Sequence, residues 1–323
     1  QEIIYNVELN DRLELTAGAF YFDQEVEYGE NRLGLLFAAA GGSLKTYSVI
    51  EHEVRGVYLT ANVSLTDQWL LSIGGRQSWE EKDVKIGQFA SSLGCMGFTG
   101  SDPRTCDFNF MDDEDWSNFT YKLNVQYLVD DDTQIYGSIS RGFRSGGFNA
   151  RQNAGSVPGP YDEEVVDAYE VGIKTDLADG KLRINAAIFN NQYEDLQRTV
   201  VGPDGFQTVS NAADATIQGA ELELSWLIAD SLLFQANFGY VDAEIEDFVN
   251  PRGGAGGAPL IVDGTKMPFV PEWQRDFSLT YDKQIGNGNL TVRAAYHYVD
   301  DVESTDDNLG YQGDDYTETD ATI

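Results

Sequence analysis

The chain has 323 residues, with 54 acidic and 21 basic side chains that give a net charge of −33, and 12% of its residues are aromatic. A nucleic-acid-binding role is excluded, because neutralising phosphates requires clustered Lys and Arg. Intrinsic disorder is excluded as well, since strongly charged disordered chains contain few aromatic residues. No run of about 18 apolar residues occurs, so a role in a membrane would have to come from β-strands.

Segments in which apolar and polar residues alternate follow one another along the chain, and the breaks between them alternate between two lengths. The tight breaks contain the Asp, Asn, Gly and Ser residues that hairpin turns favour. In chain order they lie at 10–11, 66–67, 130–132, 178–180, 229–231 and 286–288. Long breaks rich in Gly, Asp, Asn and Pro separate them, at 27–44, 86–115, 145–164, 196–210, 247–270 and 303–313.

The alternation of short and long connections predicts an all-β, transmembrane, antiparallel up-and-down barrel, which has brief turns at one end and long loops at the other. A soluble sandwich would mix connection lengths irregularly. A propeller or solenoid would repeat its sequence at a fixed period. We expect about twelve strands and the start of another near 317–323, from a barrel of about 22 strands. Because an open edge in lipid leaves backbone groups unpaired, 1–323 is expected to be a partial barrel whose first and last strands are missing.

Each predicted strand divides its residues between an apolar and a polar face. Aromatic residues gather near the segment ends, as interfacial girdles do; these are Trp69, Phe119, Tyr127, Trp226, Trp273, Tyr296 and Tyr298. We expect the polar face to line a lumen, with its charged residues either contacting a plug or bracing the barrel wall. Those residues are Glu170, Lys174, Arg183, Glu221, Glu223, Arg293 and His297.

Other chemistry finds little support in the sequence. His52, His297, Cys95 and Cys106 are the only histidines and cysteines, so no zinc or iron ligand set can be built, and no nucleophile-elbow or phosphate-loop motif occurs. We therefore expect no enzyme, no cofactor and no bound metal. Cys95 and Cys106 form either one loop disulfide or two free thiols, and a disulfide would indicate an oxidising compartment. Acidic runs at 112–115 and 300–307 either bind Ca²⁺ or are solvated.

Several stretches resemble the TonB-dependent outer-membrane receptors. The most specific is the strand-to-loop signature at 136–149, which contains Arg-Gly-Phe-Arg-Ser-Gly-Gly-Phe-Asn. Further stretches similar to the family lie at 15–22, 163–175, 187–223 and 268–273. The resemblance extends over nearly the whole chain. The family's N-terminal plug, which carries the TonB-binding segment, and the terminal barrel strands have no counterpart here.

The resemblance implies an integral, monomeric barrel of the Gram-negative outer membrane, in contact with outer-membrane lipid and lipopolysaccharide. It implies TonB-energised uptake of a scarce ligand, first a ferric siderophore, with the TonB–ExbB–ExbD complex as partner through the plug. A passive porin, or uptake of a saccharide or cobalamin, remains the alternative. Because guanidinium and aromatic groups suit an anionic ferric chelate, the expected ligand-binding residues are Arg144, Phe148, Asn149, Arg151, Tyr161, Arg198 and Phe206.

Overall fold

The computed structural model describes residues 1–33, 43–90, 94–95, 110–150, 158–201, 207–250, 260–262, 264–304 and 312–323. In these ranges every regular element is a β-strand. No helix in them is long and apolar enough to cross a membrane.

The main sheet follows the chain from one strand to the next. Its long strands are β1 (Glu2–Asn10), β2 (Leu13–Leu33), β3 (Ser43–Ser64), β4 (Trp69–Ala90), β5 (Phe110–Leu128), β6 (Thr133–Arg144), β7 (Glu164–Leu177), β8 (Leu182–Val201), β9 (Gln207–Ala229), β10 (Leu232–Glu246), β11 (Trp273–Ile285), β12 (Gly288–Val299) and β13 (Tyr316–Thr322). Short strands lie in the connections, at Gly94–Cys95, Phe248–Asn250, Leu260–Val262, Thr265–Lys266, Val302–Glu303 and Gln312–Gly313.

Each long strand pairs antiparallel with its neighbour in the chain, from β1 through to β13. All the tight breaks predicted from the sequence are short turns between paired strands. The turns therefore share one end of the sheet, the turn end, and the long connections share the other, the loop end. This is the antiparallel up-and-down arrangement that the alternation of break lengths predicts.

The predicted long breaks were partly wrong, because strands continue into them. Strands β2 and β3 remain paired as far as Leu33 and Ser43, well inside the predicted break at 27–44. Strands β8 and β9 remain paired as far as Val201 and Gln207, inside the break at 196–210. Gly, Asp and Asn disfavour strands, but the backbone hydrogen bonds of a long hairpin continue regardless of side-chain type.

An apolar band crosses one face of the sheet, the apolar face. On β4 it begins at Trp69, continues through Leu71 and Ile73, and ends at Trp79. Ten residues of strand extend roughly 33 Å, and a tilt of about 40° reduces this to a height of about 25 Å, which is the thickness of the apolar band of outer-membrane barrels. The two tryptophans therefore lie where the predicted aromatic girdles would meet the two membrane surfaces.

Two rows of carboxylates cross the apolar face beyond Trp79, towards the loop end. In each row the acidic residues of β2, β3, β4 and β5 lie directly opposite one another. The rows are Asp23, Glu53, Glu81 and Asp115, followed by Glu25, Glu51, Asp83 and Asp113. Arg55 forms an ion pair with Glu53, and Lys85 forms one with Glu51 at 2.9 Å. Directly opposed like charges destabilise a sheet.

Neutralising one opposed pair should therefore stabilise the protein. We expect the double variant Glu81→Gln, Asp115→Asn to unfold at higher urea concentration, with a gain of roughly 0.2–1 kcal/mol, the range for cross-strand pairs. The gain should shrink at high salt, because both residues are exposed and screened. The measurement is urea unfolding of the full-length protein in lipid vesicles, with the turn variant Asp230→Asn as control. An unchanged or lower midpoint would show that the rows carry no net repulsion.

Candidate functional site

The opposite face of the sheet, the polar face, carries every charged residue that the sequence predicted to point into a lumen. The strand register places Lys174, Asn185, Glu223, Asn237, Asp276 and His297 in one continuous row across β7 to β12. By the same alternation, the rest of the predicted set shares this face, namely Glu170, Arg183, Glu221 and Arg293.

Several of these residues brace the wall. The guanidinium of Arg183 donates two hydrogen bonds to Asp176, at 2.7 and 2.9 Å. Nδ1 of His297 lies 2.6 Å from the Asp276 carboxylate. The Asn185 amide donates to Glu223 at 3.1 Å. Wall bracing is thus a role that the contacts support, whereas contact with a plug stays a prediction.

At the loop end, the segment after β6 folds against the polar face. Nζ of Lys82, on β4, donates to Oγ of Ser145 at 2.7 Å and to the carbonyl of Gly146 at 2.5 Å. The same ammonium lies 5.2 Å from the ring of Trp116 on β5. Trp116 is only 6% exposed, because this segment covers it. The loop is therefore seated on side chains of two strands that are distant in sequence.

Tyr161 packs against the segment that follows β6, at Gly146 and Gly147. Its backbone pairs with that of Gly147 through hydrogen bonds of 2.9 and 3.0 Å. A Cβ at Gly146 would lie 2.2 Å from the Tyr161 carbonyl oxygen, and one at Gly147 would lie 2.8 Å from the Tyr161 hydroxyl. Gly146 and Gly147 are therefore required by the close packing of Tyr161 and Trp116.

A set of three buried or half-buried amides, the loop brace, ties this connection to the β8–β9 hairpin. Asn149 bonds both backbone groups of Val209, at 2.7 and 2.9 Å. Asn211 accepts from the Asp162 N–H at 2.7 Å and donates to the Asp162 carbonyl at 3.0 Å. Gln197 donates to the same carbonyl at 3.0 Å. The two connections therefore form one hydrogen-bonded unit.

The hairpin itself is anchored by a small apolar core at the loop end. This core contains Val200, Ala212, Ala213, Ile245 and Phe248, with Met267 packed against it. The predicted ligand residue Arg198 lies over the Phe248 ring, at 5.8 Å, so its guanidinium stacks on this core.

The other predicted ligand residues fall into three groups. Arg144 is exposed at the end of β6, and Tyr161 and Phe148 are half-buried, with Phe148 edge-on to Phe110 at 6.3 Å. The amide of Asn149 is committed to the loop brace. Arg151, Phe206, Cys106 and the side chain of Cys95 lie outside the described residues, so the disulfide stays a prediction. We call Lys82, Trp116, Arg144, Gly146 and Tyr161 the loop-end cluster.

Lys82 and Arg144 bring two cations to the loop-end cluster, where Glu80 acts on Lys82 and Glu164 lies opposite Arg144 in the strand register. Burial lowers the pKa of the Lys82 ammonium. The Arg144 charge lowers this pKa further, and the Glu80 charge acts in the opposite direction. Burial raises the pKa of the Tyr161 hydroxyl, and Arg144 counteracts that rise. The guanidinium is thus within electrostatic range of both groups. A cation beside a phenol and an indole suits an anionic ligand with aromatic groups.

Lys82, Trp116 and Gln197 were missed from the sequence. Lys82 lies in the charged run Glu80–Asp83, and such a run normally indicates side chains exposed to solvent. The available signal was its position on the polar face near the loop end, two strands away from the strand that leads into the glycine signature. Within the described residues, no group of three or more His, Cys, Asp or Glu side chains is arranged to hold a metal ion.

A family model for the β-barrel of TonB-dependent receptor-like proteins matches residues 3–323. The chain belongs to the TonB-dependent receptor β-barrel family. This confirms the resemblance noted in the sequence and places the chain in the outer membrane of a Gram-negative bacterium. In outer-membrane barrels an apolar band faces lipid and the opposite face of the sheet lines the lumen.

Curated relatives are receptors. The pesticin receptor of Yersinia enterocolitica is 30% identical over 192 residues, which cover 59% of this chain and 27% of that receptor. The probable TonB-dependent siderophore receptor PiuA of Acinetobacter baumannii is 27% identical over 256 residues, which cover 77% of this chain and 32% of that receptor. The chain therefore spans about a third or less of the length of these relatives.

Solved structures share the fold. The ferric yersiniabactin uptake receptor FyuA of Yersinia pestis superposes with a TM-score of 0.79 at 20% identity, over 99% of this chain and 45% of that one. The siderophore receptor PiuA of Acinetobacter baumannii gives 0.70 at 21% identity, over 99% of this chain and 48% of that one. These likenesses confirm the predicted all-β receptor-barrel fold.

Proposed function

We propose that the chain is the barrel wall and loops of a receptor for TonB-energised uptake of a ferric siderophore. Family membership supports transport, and relatives with this fold include proteins named for ferric siderophores. The observation that carries the proposal is the loop-end cluster, where the exposed Arg144 lies beside Tyr161 on a braced loop.

The chemistry of a ferric chelate fits this cluster. Its hard anionic donor groups need a cation, and the net charge of −33 makes most of this chain repel an anion. Arg144 supplies a delocalised, always protonated guanidinium at the loop end. Half-buried Tyr161 lies within electrostatic range of it, and half-buried Phe148 follows four residues later on the same braced loop. The ligand would therefore be captured by cationic and aromatic side chains at the mouth of the lumen.

The two faces of the sheet suit different partners. The charged residues of the polar face would meet a plug domain, through which the TonB–ExbB–ExbD complex energises release. The apolar band between Trp69 and Trp79 would contact lipid, and the residues beyond Trp79 would contact lipopolysaccharide head groups. The barrel would act as a monomer, and transport rather than catalysis would be its activity.

Uptake can be tested directly in cells that express the full-length protein as their only TonB-dependent receptor. The probes are radioactive iron supplied as ferric yersiniabactin, as a ferric trihydroxamate and as a ferric triscatecholate. We expect TonB-dependent accumulation from at least one of them. Accumulation that persists without TonB would indicate a passive pore, and no accumulation from any of the three would overturn the siderophore assignment.

Removing the proposed anion-binding group should weaken binding. We expect Arg144→Ala to lower the affinity of the purified full-length protein for the best of these chelates about tenfold or more, because hydrogen bonds to charged groups contribute about 1.5–3 kcal/mol. Equilibrium binding measures this, with Arg12→Ala as control, since Arg12 is an exposed arginine in a turn at the opposite end of the sheet. Wild-type affinity in Arg144→Ala would mean that the ligand binds elsewhere.

A further inference from the structure

Three successive backbone carbonyls at the end of β6 are held by side chains of other strands. Nε2 of Gln197, on β8, donates to the carbonyls of Arg144 and Ser145 at 3.4 and 2.9 Å. Nζ of Lys82, on β4, donates to the carbonyl of Gly146 at 2.5 Å and to the hydroxyl of Ser145. The backbone that carries Arg144 is thus held by strands on either side of β6, by β4 on one side and by β8 on the other.

Neither holding side chain is placed to meet a ligand itself. Gln197 is 8% exposed, and its amide hydrogens are committed to backbone carbonyls. The ammonium of Lys82 lies under the loop, bonded to Ser145 and Gly146 and covered by Trp116. A partly buried ammonium loses hydration, and here it is compensated by a carbonyl and a hydroxyl that belong to the loop. The charge of Lys82 therefore stabilises the loop through these hydrogen bonds.

We propose that Lys82 and Gln197 are positioning residues for ligand binding, which fix the 144–146 backbone so that the Arg144 guanidinium is presented to the ligand in one orientation. This inference rests on the proposed function. Without these contacts Arg144 keeps its charge, but its backbone regains conformational freedom that the ligand must then remove. Preorganisation of this kind changes affinity with no contact to the ligand.

The first test is independent of any ligand. Hydrogen exchange in the full-length protein should speed up at the amides of Gly147 and Asn149, which are bonded to Tyr161 and Pro158. We expect about tenfold faster exchange in Lys82→Met and in Gln197→Leu, with exchange at the turn end of β4 unchanged as an internal control. Lys82→Arg, which keeps the donors and the charge, should restore protection. Unchanged exchange in both variants would overturn the inference.

The second test asks whether Lys82 acts through Arg144. The probe is whichever of the three ferric chelates binds the wild type most tightly. We expect Lys82→Met to weaken its binding about five- to tenfold in the wild type, but to have no further effect in an Arg144→Ala background, because the two side chains act as one unit. Additive effects would overturn the inference, since they would mean that Lys82 acts on the ligand directly.

The binding measurements distinguish failure of the proposed ligand site at Arg144 from failure of the proposed positioning role of Lys82. If Arg144→Ala weakens binding and Lys82→Met does not, only the positioning role is overturned. If Arg144→Ala leaves the affinity unchanged, the proposed ligand site is overturned and the positioning role with it, whatever the hydrogen exchange shows.

Discussion

Replacing Gly219 with valine should disrupt the pairing of β8, β9 and β10 and strongly destabilise the barrel. A Cβ at this position would lie 2.2 Å from the carbonyl oxygen of Tyr240 and 2.7 Å from the ring of Phe189. Because one obstacle is backbone, no side-chain rotation relieves it, and strand β10 itself would have to move. Overpacking typically lowers the free energy of unfolding by about 1–3 kcal/mol, and a clash with backbone should lie at the upper end of that range or above it.

A glycine on the neighbouring strand provides a matched control. Gly239 lies on the polar face of β10, and a Cβ there would meet no atom within 4 Å. We expect Gly239→Val to retain the urea midpoint and the heat-modifiable gel mobility of the wild type, whereas Gly219→Val loses much of both. Equal behaviour of the two variants would show that the close approach of Tyr240 and Phe189 to Gly219 is not needed for folding.

The sheet and its turns could be predicted because the signals are local. Alternation of side chains along a strand has a period of two, and a tight turn needs its own Asp, Asn or Gly residues. The turn around Asp179, which has a positive φ of 57°, is an example, because its Ala-Asp-Gly sequence is enough to identify it. The faces followed from the same alternation, so the charged residues predicted from the sequence share one face of the sheet. That this face lines a lumen stays a prediction.

The site could be predicted only in part because it depends on register between distant strands. Lys82 and Gly146 are 64 residues apart in the chain, and only the pairing of β4, β5 and β6 brings them together. Sequence alone also cannot show where a polar side chain directs its hydrogen bonds. Asn149 suits a ligand-binding loop, yet its amide pairs with the backbone of Val209, 60 residues away.

Replacing Gly146 with valine should abolish the ligand site while leaving the sheet intact. A Cβ there would lie 2.2 Å from the Tyr161 carbonyl oxygen and 2.6 Å from the indole of Trp116. The segment would have to lift away from both, and the hydrogen bond from Lys82 to the Gly146 carbonyl would be lost with it. We expect affinity for the best-bound ferric chelate to fall at least tenfold, measured by equilibrium binding to the full-length protein.

The sheet should survive this change because β6 ends at Arg144, so that Gly146 lies outside the strand ladder. Gly29→Val is the matched control, since a Cβ at Gly29 meets no atom within 4 Å. Both variants should keep wild-type heat-modifiable mobility, and only Gly146→Val should lose binding. The contrary outcome is a Gly146→Val protein that folds and binds as the wild type does. That result would show that packing of the loop on Lys82, Trp116 and Tyr161 does not determine how Arg144 binds the ligand.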